Sequence, residues 1–139
     1  MKKQTVVEHA EWIVLDATDQ ILGRLSTKIA TLLMEKDLAQ FEKHLDVKKR
    51  HVVVLNVAKL AIHPRKVLGK IYRRHSWYLG GLREATLGEM MAKDPRRVLE
   101  IAVAGMLPKN SMQRDRLNRL HVYADDKHPH EAQLTNKKA

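Results

Sequence analysis

Residues 12–36 read WIVLDATDQILGRLSTKIATLLMEK, and the hydrophobic period of this stretch changes once along its length. Trp12-Ile13-Val14-Leu15 is a short β-rich run, apolar on both faces and closed by Asp16. Such a run fits a strand covered on both sides better than one with a wet face. From Ile21 the period becomes helical. Leu22, Leu25, Ile29, Leu32 and Leu33 form one stripe, and Lys28 and Glu35 fall off it. A second buried-strand pattern, Val52-Val53-Val54-Leu55, ends at Asn56. Strand, helix and strand in that order predict a βαβ unit with parallel strands and a right-handed crossover.

Outward from this unit the chain becomes more helical. Thr86-x-x-Glu89 ahead of Met90-Met91 is a capping-box pattern, in which hydroxyl and carboxylate satisfy the first free backbone N–H groups. Asp94-Pro95 starts another helix, with Asp as N-cap and Pro at the first helical position. Its stripe is Val98, Leu99, Ala102, Val103 and Met106, and Pro108 stops it. A short helix is expected from Asn110 or Ser111 to about Arg119, then a strand at His121-Val122-Tyr123. The tail ADDKHPHEAQLTNKKA has no apolar period and is expected to lie over a surface. There is no internal repeat or linker. The pattern predicts one α/β domain over 1–139 with a small parallel sheet and flanking helices, extended by residues 1–10 and 124–139.

The 139 residues are 44% hydrophobic, enough for a core without staples, and contain no cysteine. A disulfide scaffold, a thiolate metal site and a Cys nucleophile are thereby excluded. Lys2 and Lys3 are not followed by an apolar run of signal-peptide length, and no stretch approaches a membrane span. A soluble, reducing compartment is expected. The net charge is +10, and its distribution is uneven. Residues 41–83 hold 11 Lys and Arg against 2 Asp and Glu, with four of the eight histidines. A surface charged only for solubility has no reason to concentrate its charge in this way; a polyanion-binding surface does, and nucleic acid is the natural partner.

The densest chemistry is YRRHSWYLGGLR, residues 72–83. As a catalytic loop it is weak, because His75 and Ser76 are neighbours that an extended chain points apart, and no third group orients the base. As a nucleotide cradle it is weak too, since Gly80-Gly81 is followed by Leu-Arg, not by Gly-Lys-Ser. Leu22-Gly23-Arg24 opens a helix after a strand, where backbone N–H groups can meet a phosphate, but it supplies a single glycine. His128-Pro129-His130-Glu131 clusters donors without a metal-helix spacing, and no metal or other cofactor is expected. An RNA grip fits best. Arg73 and Arg74 suit phosphate oxygens. Tyr72, Trp77 and Tyr78 offer ring faces to unstacked bases, and Gly80-Gly81 permit close backbone approach. One ring is expected to anchor the loop to the core instead, Trp77 first among them. Lys48-Lys49-Arg50-His51 and Arg65-Lys66 add charge on either side. Residues 105–120, GMLPKNSMQRDRLNRL, also resemble a helix-turn-helix reader of duplex DNA, although Asp115 and Arg119 at i,i+4 can form a merely exposed pair.

Several stretches in order carry a resemblance. WIVLDATDQILGRLSTKIA, VVVLNVAKL, KIYRRHSWYLGGLR, GMLPKN (105–110) and LHVYADDKHPHEAQ are similar to the large-subunit ribosomal protein thirteen family, from about Trp12 to Gln133. Trp77 stands where that family has a small residue, and Leu79 where it frequently has proline. The resemblance implies a three-layer α/β/α single domain with a four-stranded, mainly parallel sheet. It also implies a structural constituent of the large ribosomal subunit that binds its 23S-type RNA, meets neighbouring ribosomal proteins and supports assembly without catalysis. Its location would be the ribosome, in the cytoplasm or an organelle, with no membrane and no small-molecule substrate. The family's RNA-facing loops map onto Arg24, onto Lys70 through Arg83 including His75, Ser76 and Arg83, and onto Lys109, Asn110, Arg114, Arg116 and Arg119. A duplex-DNA regulator using 105–120 and a small nucleotide-dependent enzyme are the alternatives.

Overall fold

The computed structural model describes residues 11–42, 44–46 and 49–135. Strand β1 (Trp12–Asp16) leads into helix α1 (Leu22–Leu33), and β2 (His51–Leu55) follows. A 3₁₀ turn at Val57–Lys59 and helix α2 (Pro64–Gly69) precede an antiparallel pair, β3 (Ile71–His75) and β4 (Leu82–Thr86). Then come α3 (Leu87–Lys93), α4 (Pro95–Met106), α5 (Met112–Asn118), β5 (Leu120–Val122) and α6 (Glu131–Thr135).

The main sheet has the order β1-β2-β5, all parallel, with Ile13 opposite Val52 and Val52 opposite Leu120. The α/β class and the parallel βαβ pair stand as expected. The implied four-stranded sheet is instead three parallel strands with a separate β3–β4 hairpin. The order also explains the two strand patterns. Central β2 has Val52, Val53 and Val54 fully buried, whereas β1 is an edge strand with Val14 exposed. Two similar apolar runs therefore differ in burial because only one has a neighbour on each side.

Alternation of side chains along the strands creates two unlike faces. Val52, Val54, Leu120 and Val122 face α1 and α4 and join Leu25, Ile29, Leu33, Leu99 and Val103 in the core. Each such buried Val, Leu or Ile contributes about 1.5–3 kcal/mol. The opposite face presents Trp12, His51 and His121. Their rings stack, Trp12 on His51 at 4.3 Å and 13°, and His130 of the returning tail lies 4.5 Å from His121. The tail thus covers this second face, and α6 follows beside β1.

Caps behave as their sequences require. The Thr86 hydroxyl accepts from the Glu89 N–H while Glu89 accepts from the Thr86 N–H, and Asp94 accepts from the Arg96 N–H. The long connection 34–50 is unusual for a compact domain and is held by ions. Arg50 pairs with Glu11 at 2.7 Å and Asp37 at 2.6 Å, and its N–H donates to Glu35. Glu35, off the apolar stripe, is nonetheless buried, because the chain turns there with φ at 57° and folds over it.

Candidate nucleic-acid interface

The densest sequence segment, 72–83, is mostly a hairpin and not a loop. Tyr72 pairs with Ala85, Arg73 with Glu84, Arg74 with Arg83, and His75 with Leu82. Arg73 and Glu84 form an exposed ion pair at 2.6 Å. Arg74 and Arg83 face each other with like charge, an arrangement that weakens a strand pair unless an anion lies across it. A two-stranded hairpin is itself marginal, and this one is supported at its base, where α2 and α3 pack together and α3 lies on β4.

The turn at its tip is tightly specified. The Gly81 N–H donates to the Tyr78 carbonyl at 2.9 Å, and the Ser76 N–H to the Gly81 carbonyl at 3.1 Å. Gly80 has φ at 70°, as the third position of such a turn demands of glycine. A Cβ on Gly81 would sit 2.8 Å from the Tyr78 carbonyl oxygen and 2.0 Å from the Ser76 hydroxyl, so the backbone leaves no room for a larger residue without a shift. His75 and Ser76 are both engaged locally: His75 Nδ1 accepts from the Trp77 N–H at 2.9 Å, and Ser76 lies against Gly81. No base–nucleophile hydrogen bond joins them among the described contacts.

The rings divide differently from expectation. Trp77 was the expected anchor, yet it is 92% exposed, and Tyr78 is also exposed. Tyr72 is the anchor: half-buried, its hydroxyl enclosed and its ring covered by the Lys70 ammonium at 5.0 Å. Position along the hairpin explains the exchange, since Tyr72 lies beside Ala85 at the supported base and Trp77 beyond the last paired residue.

Behind the hairpin runs a groove of about 570 Å³ lined by Arg73, Arg74, Arg83, Lys93 and Arg97, with Glu84 and Asp94. Lys93 and Arg97 were not anticipated. Their only sequence signal is the Lys93-x-x-Arg96-Arg97 cluster around Asp94-Pro95, which reads as capping chemistry. Tyr72 and Ile101 connect the groove to a cavity of about 980 Å³ that also includes Gly23, His63, Lys66, Lys70 and Met106. Met106 connects this in turn to a third hollow lined by Lys36, Pro108 and Asn110. Segments around residues 23, 66, 70–74, 83 and 108–110, far apart in sequence, thus line three hollows that share walls. Arg24, Arg65, Lys66, Lys70, Arg74, Arg83, Lys109, Asn110 and Arg114 are exposed.

Three expected contacts belong elsewhere. Arg116 is 2% exposed and donates twice to Asp46, at 3.0 and 2.8 Å. Arg119 is buried and donates to the other Asp46 oxygen, so the Asp115–Arg119 pair is not its main partnership. Arg50 is buried between Glu11 and Asp37, and its hydrogen bond to Asp37 raises its pKa. Sequence shows the charge of these arginines but not the distant carboxylates that take them inward. The inward turn of Arg116 and Arg119 also removes two cations from the surface of 105–120, which weakens its helix-turn-helix reading. Lys49 is exposed, whereas Lys48 lies outside the described residues.

Among the described residues no three His, Asp or Glu side chains are arranged as a metal site, and no helix is long and apolar enough to cross a membrane.

The family model described as Ribosomal protein L13 matches residues 10–129. The chain belongs to that family. It is 43% identical over 137 residues to the large ribosomal subunit protein uL13 of Lactobacillus delbrueckii subsp. bulgaricus, covering 99% of this chain and 92% of that protein. It is 46% identical over 127 residues to uL13 of Lactobacillus johnsonii, covering 91% and 86% respectively. With uL13 of Listeria welshimeri it shares 44% over 133 residues, or 96% and 90% of the two chains. The L13 match spans both sheets and α1 through α5, and stops one residue short of His130.

Proposed function

We propose that this chain is a structural constituent of the large ribosomal subunit, binding its RNA through the basic surface along these hollows and supporting assembly without catalysing a reaction. The observation that carries the reading is the convergence of Arg74, Arg83, Lys93 and Arg97 on one groove, in a chain of the L13 family. Cations gathered along a groove release counterions from a phosphate backbone, and this supplies affinity without base recognition. The relatives named above are large-subunit proteins, which supports the same assignment. Neighbouring ribosomal proteins are the further partners on this reading, and the ribosome is its location.

The test is sedimentation of a cell extract at low and at high salt, following this chain across the gradient. Co-migration with the large subunit through moderate salt is the expected result. Residence at the top of the gradient at every salt concentration would overturn the proposal.

A further inference from the structure

We propose that the hairpin tip, Trp77, Tyr78 and Leu79, is a preformed wedge that enters between unstacked bases of the bound RNA; this rests on the RNA-binding reading above and deepens it. Trp77 has φ at 67°, a left-handed backbone that is unfavourable for a bulky residue. Two turn bonds and the Trp77 N–H to His75 Nδ1 bond hold it there. The geometry serves no packing. Trp77 is 92% and Tyr78 79% exposed, and Leu79 is fully so. The ring contact of Trp77 among the described residues is an edge approach to exposed His75, 6.1 Å between centroids.

Three adjacent large apolar side chains held in water imply a partner that covers them. What surrounds them selects RNA over an apolar protein pocket. Just below the tip stand Arg74 and Arg83, opposed across the strands, with His75 beside them. A protein pocket that swallowed the tip would bring its rim against these cations. An opened base step offers apolar base faces to the tip and phosphates to the arginines within the same short stretch of strand. Tryptophan and tyrosine stack on bases, and an aliphatic side chain such as leucine enters between steps. The wedge therefore favours a bulge or junction over continuous duplex.

The experiment titrates the full chain with protein-free large-subunit rRNA over a range of salt, comparing the natural chain with Trp77→Gly, Leu79→Ala and Arg74→Ala. Glycine accepts the left-handed backbone, so Trp77→Gly should unfold at the same or a higher temperature than the natural chain. Its affinity should fall roughly tenfold or more, with the slope of log K against log salt unchanged, since stacking is lost and phosphate contacts are kept. Leu79→Ala should weaken binding in the same slope-neutral way, whereas Arg74→Ala should flatten the slope. Natural affinity in Trp77→Gly, alongside steep salt dependence in the natural chain, would overturn the wedge and leave RNA binding standing. Retained rRNA affinity with loss of incorporation into large subunits would also overturn it, by giving the tip a protein partner. Absence of salt-dependent rRNA binding by the natural chain would remove the RNA reading itself, and the wedge with it.

Discussion

Arg74 is a residue that the hairpin disfavours and that the proposed RNA binding would use. It lies opposite Arg83 across a hairpin with little other support at that end, and like charges directly opposed destabilise by about 0.2–1 kcal/mol. Arg74→Ala should therefore leave the melting temperature unchanged or slightly raised. If the proposed RNA binding places Arg74 on a phosphate, the same variant should flatten the salt slope of rRNA binding by roughly one unit. Thermal melts and a binding series on the same preparation check both signs, and a clear loss of stability would contradict this account. Arg73 differs by a single position. Its partner is Glu84, so part of its charge is already answered within the protein.

At the scale of elements, α5 separates the arginines that hold the fold from those that face out. Arg116 is buried against the partly buried Asp46. Removing it empties a packed site and leaves Asp46 with Arg119 as its remaining cation, a loss of about 2–3 kcal/mol, at the upper end of what single substitutions usually cost. Arg116→Ala should melt at a clearly lower temperature, while Arg114→Ala, on the exposed side of the same helix, should stay within about 0.5 kcal/mol of the natural chain. Chemical denaturation of both variants checks the contrast. The ring layer between sheet and tail predicts a pH dependence. Burial first, then Arg119 and His130, lower the pKa of His51; burial first, then His130 and His51, lower that of His121. Below the ordinary histidine value of 6.5 the unfolded chain binds protons that the folded chain does not. Stability from this layer is therefore fully present above that value and declines as pH falls toward the lowered values. The melting temperature should drop between pH 7.5 and pH 5.5, and His121→Gln should make that drop smaller.

For the whole molecule, the quantity that tests the proposed RNA binding is the number of phosphates engaged together. About six contacts would give a slope of log K on log salt near −5 on duplex RNA, and less on single strands. A slope near zero would mean that the basic face does not meet the backbone, whatever the affinity. The surface proposed for the phosphates is assembled where α1, α2, the hairpin and the end of α4 line neighbouring hollows, with Tyr72, Ile101 and Met106 as shared walls.

The sequence by itself determined the parallel βαβ unit, the capping box at Thr86, the Asp94-Pro95 helix start, the stop before Pro108 and the short helix before β5. These are local: period, cap chemistry and proline act within a few residues. It also determined the basic character of the middle third, because charge is a matter of composition. The resemblance carried by several ordered stretches pointed to the family that the full-length comparison then established. Only the tertiary structure decided which cations face outward. Arg50, Arg116 and Arg119 look as available as Arg74 or Arg114 in sequence, and they are taken inward by Asp37, Glu11 and Asp46, residues 13, 39, 70 and 73 positions away. Lys93 and Arg97 join the groove for the complementary reason, that α3 and α4 pack together and line it opposite the hairpin. The exchange of Tyr72 and Trp77 follows from where the hairpin is supported: Tyr72 pairs at the base and Trp77 lies past the last pair, and those pairing partners are contained in no local pattern.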